Sequence, residues 1–252
     1  RNLARVVPGA TPAELDALVR AGLRSYARYW CEMFRLRPED ARAVYARTED
    51  GVSGTAPFFD ALAAGRGVVF ALPHSGNWDA AGVWVVEALR RLGHEPVFTT
   101  MAQRLRPESL YRRFLAYRES LGFEVVPAEA GSSAHRALTG RLRAGGVVCL
   151  VADRDLAGSG VEVSFFGEPA RFPVGPARLA ALTDAVLLPA YPHFRPDGWG
   201  VSFAPPVPVD RTPVSVARAT QSIADAFARL IAQAPADWHA LQPLWSADRE
   251  SR

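Results

Sequence analysis

Residues 73–79 read Pro-His-Ser-Gly-Asn-Trp-Asp, with His74 just past an apolar run and Asp79 five positions later, where a helical pattern begins. A histidine and a carboxylate at that separation suit general-base chemistry. If the first helical turn brings Asp79 back to one ring nitrogen, the carboxylate fixes the tautomer and stabilises the imidazolium formed when the other nitrogen removes a proton. With a substrate hydroxyl in place of a hydrolase's serine, the reaction is acyl transfer to an alcohol with no required acyl-enzyme. Gly76 permits a substrate to approach the backbone, and amide N–H groups at the helix start could hold the developing oxyanion. The same spacing also fits a histidine that caps a strand end and an aspartate that caps a helix, so spacing alone leaves both readings open.

The elements around this motif alternate between strand and helix. Apolar runs at 68–72, 96–100, 123–127, 147–152 and 186–191 read as strands. Helical patterns fall at 57–64, 79–92, 107–121, 132–144 and 174–182, and this order announces an α/β domain. The rhythm breaks at 161–166, which alternates like a half-buried strand and is followed by a turn marked by Gly167 and Pro169. A strand at 199–203 and an amphipathic helix at 214–234 complete the pattern, with residues 205–213 as its one linker-like stretch. Upstream, Thr11-Pro12-Ala13-Glu14 forms a capping box that starts a helix, and Leu15, Leu18, Leu23, Tyr26, Trp30 and Phe34 recur along it at helical spacing among several arginines. It reads as a basic amphipathic helix that lies on the core, on a membrane surface, or on both. The expected organisation is one domain over 1–252, with an N-terminal helical segment at 1–50 and an α/β core with the C-terminal helix at 55–252.

Composition narrows the class. The 252 residues are 49% hydrophobic and 22% charged, enough for one sizeable core and too little charge bias for disorder. No apolar run is long enough to cross a bilayer, and the chain opens at Arg1 without a signal-peptide pattern or an initiator Met, so it reads as trimmed and not membrane-spanning. The formal net charge is only +3, which does not by itself imply nucleic acid. Two cysteines, Cys31 and Cys149, suggest neither a disulfide framework nor a metal cluster, and a reducing compartment fits them. No His pair has metal-ligand spacing, and there is no Gly-x-Gly-x-x-Gly, P-loop or Gly-x-Ser-x-Gly motif. The expectation is therefore no metal, no bound cofactor and no nucleic-acid partner. All 29 basic residues are arginine, a bias that matches a G+C-rich coding sequence.

Three segments in order, HSGNWD at 74–79, ADRDLAGSGVEVSFFG at 152–167 and PADWHALQPLW at 235–245, resemble bacterial lipid acyltransferases, a family that includes the lipid A lauroyl/myristoyl transferases. The resemblance runs from the first helix to the tail. The chain looks most similar to the actinobacterial branch acting on phosphatidylinositol mannosides, because the lipid A enzymes often carry an acid followed by glutamine where this chain has Asp153-Arg154-Asp155. The resemblance implies an α/β fold with a mixed central sheet flanked by helices, acyl-CoA as the consumed donor, and a mannose hydroxyl of a phosphatidylinositol mannoside or similar glycolipid as the acceptor. It further implies His74 as the base, Asp79 as its support, Glu162 as a sugar-side carboxylate and Arg118 as a site arginine. Arg154 and Asn77 join the substrate-binding candidates. Arg154 is also read as a structural ion pair with its flanking aspartates, and Glu162 as a residue on a solvated strand face. The arginines at 104, 106, 112, 113 and 118 read mostly as surface charge or as contacts with anionic lipid. The expected location is peripheral, at the cytoplasmic face of the plasma membrane. Two other readings stay open: transfer to another glycolipid such as a lipid A-like acceptor, and a catalytically silent lipid-binding protein.

Overall fold

The computed structural model describes residues 1–155 and 158–250. Seven strands form a central sheet in the order β1-β9-β8-β2-β5-β3-β4, with β1 at Val52–Ser53, β2 at Val68–Leu72, β3 at Phe98–Ala102, β4 at Phe123–Pro127, β5 at Val147–Val151, β8 at Val186–Arg195 and β9 at Gly198–Phe203. All neighbours are parallel except β8 and β9, which form an antiparallel hairpin, so the sheet is mixed as expected. Helices α4 (Ala56–Ala63), α5 (Trp78–Arg91), α6 (Glu108–Ser120), α7 (Ser132–Arg143) and α8 (Gly175–Thr183) link the strands. Helices α1 (Asn2–Val6), α2 (Pro12–Met33) and α3 (Ala41–Glu49) precede the sheet, and α9 (Pro213–Gln233) and α10 (Ser246–Glu250) follow it.

The strand sequences explain why both faces are covered. On β2, Val68, Phe70 and Leu72 join one buried cluster and Val69 and Ala71 the other, because successive side chains leave opposite faces of a strand. Phe58, Trp84 and Leu89 pack on the first face, and Phe227, Ile231 and Trp245 lie in the cluster on the second. A strand buried on both sides reads as a continuous apolar run, which is why β2 and β5 were legible from sequence.

Two differences from the expected pattern have clear causes. The stretch after 161–166 is a second strand, β7 (Glu168–Phe172), paired antiparallel with β6 (Val161–Phe165) apart from the main sheet. The turn is only Phe166-Gly167, both with positive φ, as a two-residue hairpin turn requires. Pro169 is tolerated in β7 because this two-stranded ribbon consists of edges. In α2, the capping box forms as predicted, with Thr11 and Glu14 bonding reciprocally, but the apolar residues divide between two faces. Ser25, Tyr29 and Met33 face the core, while Leu23, Trp30 and Phe34 are exposed.

Candidate active site

The site forms where two parallel strands end side by side. Leu72 of β2 is in register with Val151 of β5, and the Ala152 amide donates to the Leu72 carbonyl at 2.8 Å. Two residues further along each chain stand His74 and Asp153, which therefore meet. Open α/β sheets place reactive groups in this crevice beyond the carboxyl ends of their strands.

Asp153 is fully buried, and its Oδ1 lies 2.6 Å from Nδ1 of His74. Its Oδ2 accepts from the His74 amide at 3.2 Å and from the Trp238 indole N–H at 3.1 Å. Burial alone would raise this carboxyl's pKa. The His74 charge and hydrogen bond, with Arg154 and Trp238, outweigh it and hold the group below the ordinary 3.8. An ionised carboxylate can only accept, so the proton between the pair belongs to Nδ1. Nε2 then keeps its lone pair, on a side chain that is 25% exposed.

The aspartate that holds His74 is thus Asp153 and not Asp79. Asp79 lies in the first turn of α5, behind its N-cap Asn77, and is directed inward. Its Oδ1 pairs with the Arg118 guanidinium at 2.9 Å and its Oδ2 accepts from Tyr29 at 3.0 Å. The Tyr29 hydroxyl stays protonated, because burial and Asp79 push its pKa well above 10. Arg118 is itself buried, lies 4.3 Å over the Phe114 ring, has Asp79 as its ion-pair partner and, with it, lines the cavity between α5 and the sheet.

The other candidates are placed as follows. Asn77 is buried, accepts from the Ala80 amide and donates to Glu32 of α2, which also accepts from Trp199; this is the position of a helix cap. Gly76 has φ +51°, and a Cβ there would lie 2.7 Å from the backbone of Pro192 and His193. Its N–H donates to Asp237, so the glycine serves backbone packing and not the approach of a substrate. Glu162 sits exposed on β6, in register with Arg171 of β7, and is not drawn into the contacts around His74. Arg154 does reach the site, with Nε 3.4 Å from Nδ1 of His74 and Nη1 3.4 Å from Gln242. Because the one Nδ1 proton goes to Asp153, Arg154 acts there as a neighbouring charge and keeps donors for an anionic ligand.

Sequence reasoning used the tail for the family resemblance but assigned it no part in the site. Trp238 fastens Asp153, bridges to Ser75, and is followed by His239, whose amide donates to the His74 carbonyl at 2.7 Å. The His239 ring is buried beside Tyr26, Tyr29 and Trp78, with Nε2 3.0 Å from the Ser25 hydroxyl. Burial, assisted by His74 and opposed by Asp153, pushes its pKa down to about 4. The tryptophans of the tail were the available signal, since an indole N–H buried in a core needs an acceptor.

Beside His74 opens a narrow apolar channel between α5 and the sheet, with about 640 Å³ of space among its lining atoms and its mouth. Leu72, Val151 and Trp78 line it at the strand ends, and the Trp78 ring meets that of His74 edge-on at 5.8 Å. Cys149 also lines it, but burial raises its thiol pKa and keeps it from acting as a nucleophile. A partly exposed histidine held by a buried carboxylate, close to a largely apolar cavity, is an arrangement suited to acyl transfer.

Comparison with known proteins agrees. The profile of the bacterial lipid A biosynthesis acyltransferases matches residues 1–247. The chain belongs to this family. Within it, the acyltransferase is 54% identical over 256 residues to the phosphatidylinositol mannoside acyltransferase of Mycobacterium tuberculosis, an alignment covering all of this chain and 78% of that protein. It is 52% identical over 250 residues to the phosphatidylinositol mannoside acyltransferase of Mycolicibacterium smegmatis, covering 98% of this chain and 79% of that one. Among the described residues no cluster of His, Cys, Asp and Glu could hold a metal ion, and no helix is long and apolar enough to cross a membrane.

Proposed function

We propose that this acyltransferase moves a long-chain acyl group from acyl-CoA to a mannose hydroxyl of a phosphatidylinositol mannoside, with His74 as the general base. The observation that carries the roles is the 2.6 Å contact of Nδ1 with Asp153, which among the described residues leaves Nε2 of His74 without a side-chain partner, next to the channel-lining Trp78. The acceptor follows from the names of the relatives. The acyl chain enters the channel and presents its thioester carbonyl beside His74. Nε2 takes the proton of the sugar hydroxyl as its oxygen attacks that carbon, and buried Asp153 stabilises the imidazolium. Collapse of the tetrahedral intermediate breaks the C–S bond, and the proton on Nε2 passes to the departing CoA sulfur. Arg154 supplies a cation for phosphate at the rim.

The test is acyl transfer from palmitoyl-CoA to a phosphatidylinositol mannoside, with free CoA and acylated lipid both quantified. His74→Ala should lower turnover about 10²- to 10⁴-fold while the protein stays folded. A loss below tenfold removes His74 from the role, and a silent lipid-binding protein would lose nothing. A lipid A-like acceptor in the same assay decides between acceptors.

The location we propose is peripheral, on the cytoplasmic leaflet. Leu23, Trp30 and Phe34 form an exposed stripe on α2, with Phe34 76% accessible, among exposed Arg20, Arg24 and Arg35. An apolar stripe edged by arginine suits the interface of an anionic bilayer. Binding to mixed anionic vesicles should weaken with salt and fall on Phe34→Ser; equal retention on neutral and acidic vesicles would refute it.

A further inference from the structure

We infer that Gly82, Phe98 and Phe123 close the deep end of the channel and set the length of acyl chain it accepts. This rests on the acyltransferase reading above and names the residues that give that reading its donor specificity.

Strand register supplies the depth. Leu72 and Val151 stand together at the mouth, while Phe98 is in register with Val147 and Phe123 with Phe98. Val147 lies four residues before Val151, so the two phenylalanines sit about 13 Å below the mouth along the strands, at roughly 3.3 Å per residue. Both are buried, and their ring centroids are 4.6 Å apart. Their tips pack directly on Gly82 of α5. A Cβ on that glycine would lie 2.7 Å from Cζ of Phe123 and 3.0 Å from Cζ of Phe98, so the two ring tips occupy the room that any other residue would need.

Glycine weakens a helix interior, and among the described residues Gly82 has no positive φ to require it. Its place is explained by space. All three residues line the channel, so the ring tips meeting the bare helix backbone form a wall across its deep end. Adding a methyl at Gly82 must push the rings back into the lumen or shift the helix. Shortening either ring lengthens the lumen.

The experiment measures native protein, Gly82→Ala, Phe123→Leu and Phe98→Leu against saturated acyl-CoAs of 12 to 20 carbons. Two readouts are taken: binding, followed by tryptophan fluorescence because Trp78 lines the channel, and transfer from an equimolar mixture with products resolved by mass. Gly82→Ala should move both preferences to shorter chains, lowering the ratio of longest to next-shorter accepted chain about tenfold. The two leucine variants should move it the other way. Unchanged binding profiles in folded Phe123→Leu and Phe98→Leu overturn the inference even if Gly82→Ala fails to fold. A native protein that binds acyl-CoA with a length preference but transfers nothing defeats the catalytic reading while the binding profiles still decide the wall.

Discussion

Two aspartates, Asp79 and Asp153, are buried near the ends of the central strands, and their surroundings are opposites. Asp153 meets a histidine that can gain and lose a proton, on a side chain still open to the crevice. Asp79 meets an arginine whose charge is permanent, buried in the wall of the channel, where Tyr29 donates to its other oxygen. The difference teaches that a carboxylate's role is set by what it is buried against. A movable proton beside a cleft suits the catalytic role proposed for His74 and Asp153, whereas a fixed charge under a helix makes a joint between α2, α5 and α6.

The sharpest break of that comparison is to neutralise each aspartate in turn. Asp153→Asn should cut turnover by about 10²- to 10³-fold, because the amide no longer fixes the Nδ1 proton or stabilises the imidazolium. Asp79→Asn should instead cost about 3 to 5 kcal/mol of stability by leaving Arg118 buried and unpaired, with kcat of the remaining folded protein changed less than about tenfold. Denaturant unfolding and single-turnover rates on both variants check this, and a folded Asp79→Asn without activity would end the distinction.

A smaller effect comes from acid. His239 is held neutral with its pKa near 4 against an ordinary 6.5, so the unfolded chain binds a proton that the folded one refuses. Stability should therefore fall as the pH drops from about 6.5 to about 4, by at most about 3 kcal/mol. Asp153 adds its own loss only lower, as the pH passes down through its depressed pKa below 3.8. Melting temperatures across this range should show a flatter slope above pH 4 for His239→Asn, and an unaltered slope would reject the assignment.

What the sequence revealed follows from how far apart the interacting residues lie. The strand at 68–72, the capping box at Thr11 and the histidine just past a strand are local patterns, and each was legible. The His74–Asp153 contact depends on β5 lying beside β2 in one register, which no local spacing encodes. Sequence nearness made Asp79 the natural partner instead, although helix geometry turns it away. Helical periodicity found the apolar residues of α2 but merged its two stripes, because both repeat at three and four residues. The strand at Glu168–Phe172 hid behind Gly167 and Pro169, whose turn is shorter than those residues suggest.

The indole that fastens Asp153 and the amide that holds the His74 carbonyl both come from the tail, far downstream of the strands they complete. β2 and β5 thus bring His74 and Asp153 side by side, and residues 238 and 239 clamp them. Loosening residues 235–239 should therefore release Asp153 and the His74 backbone together while β2 and β5 stay paired.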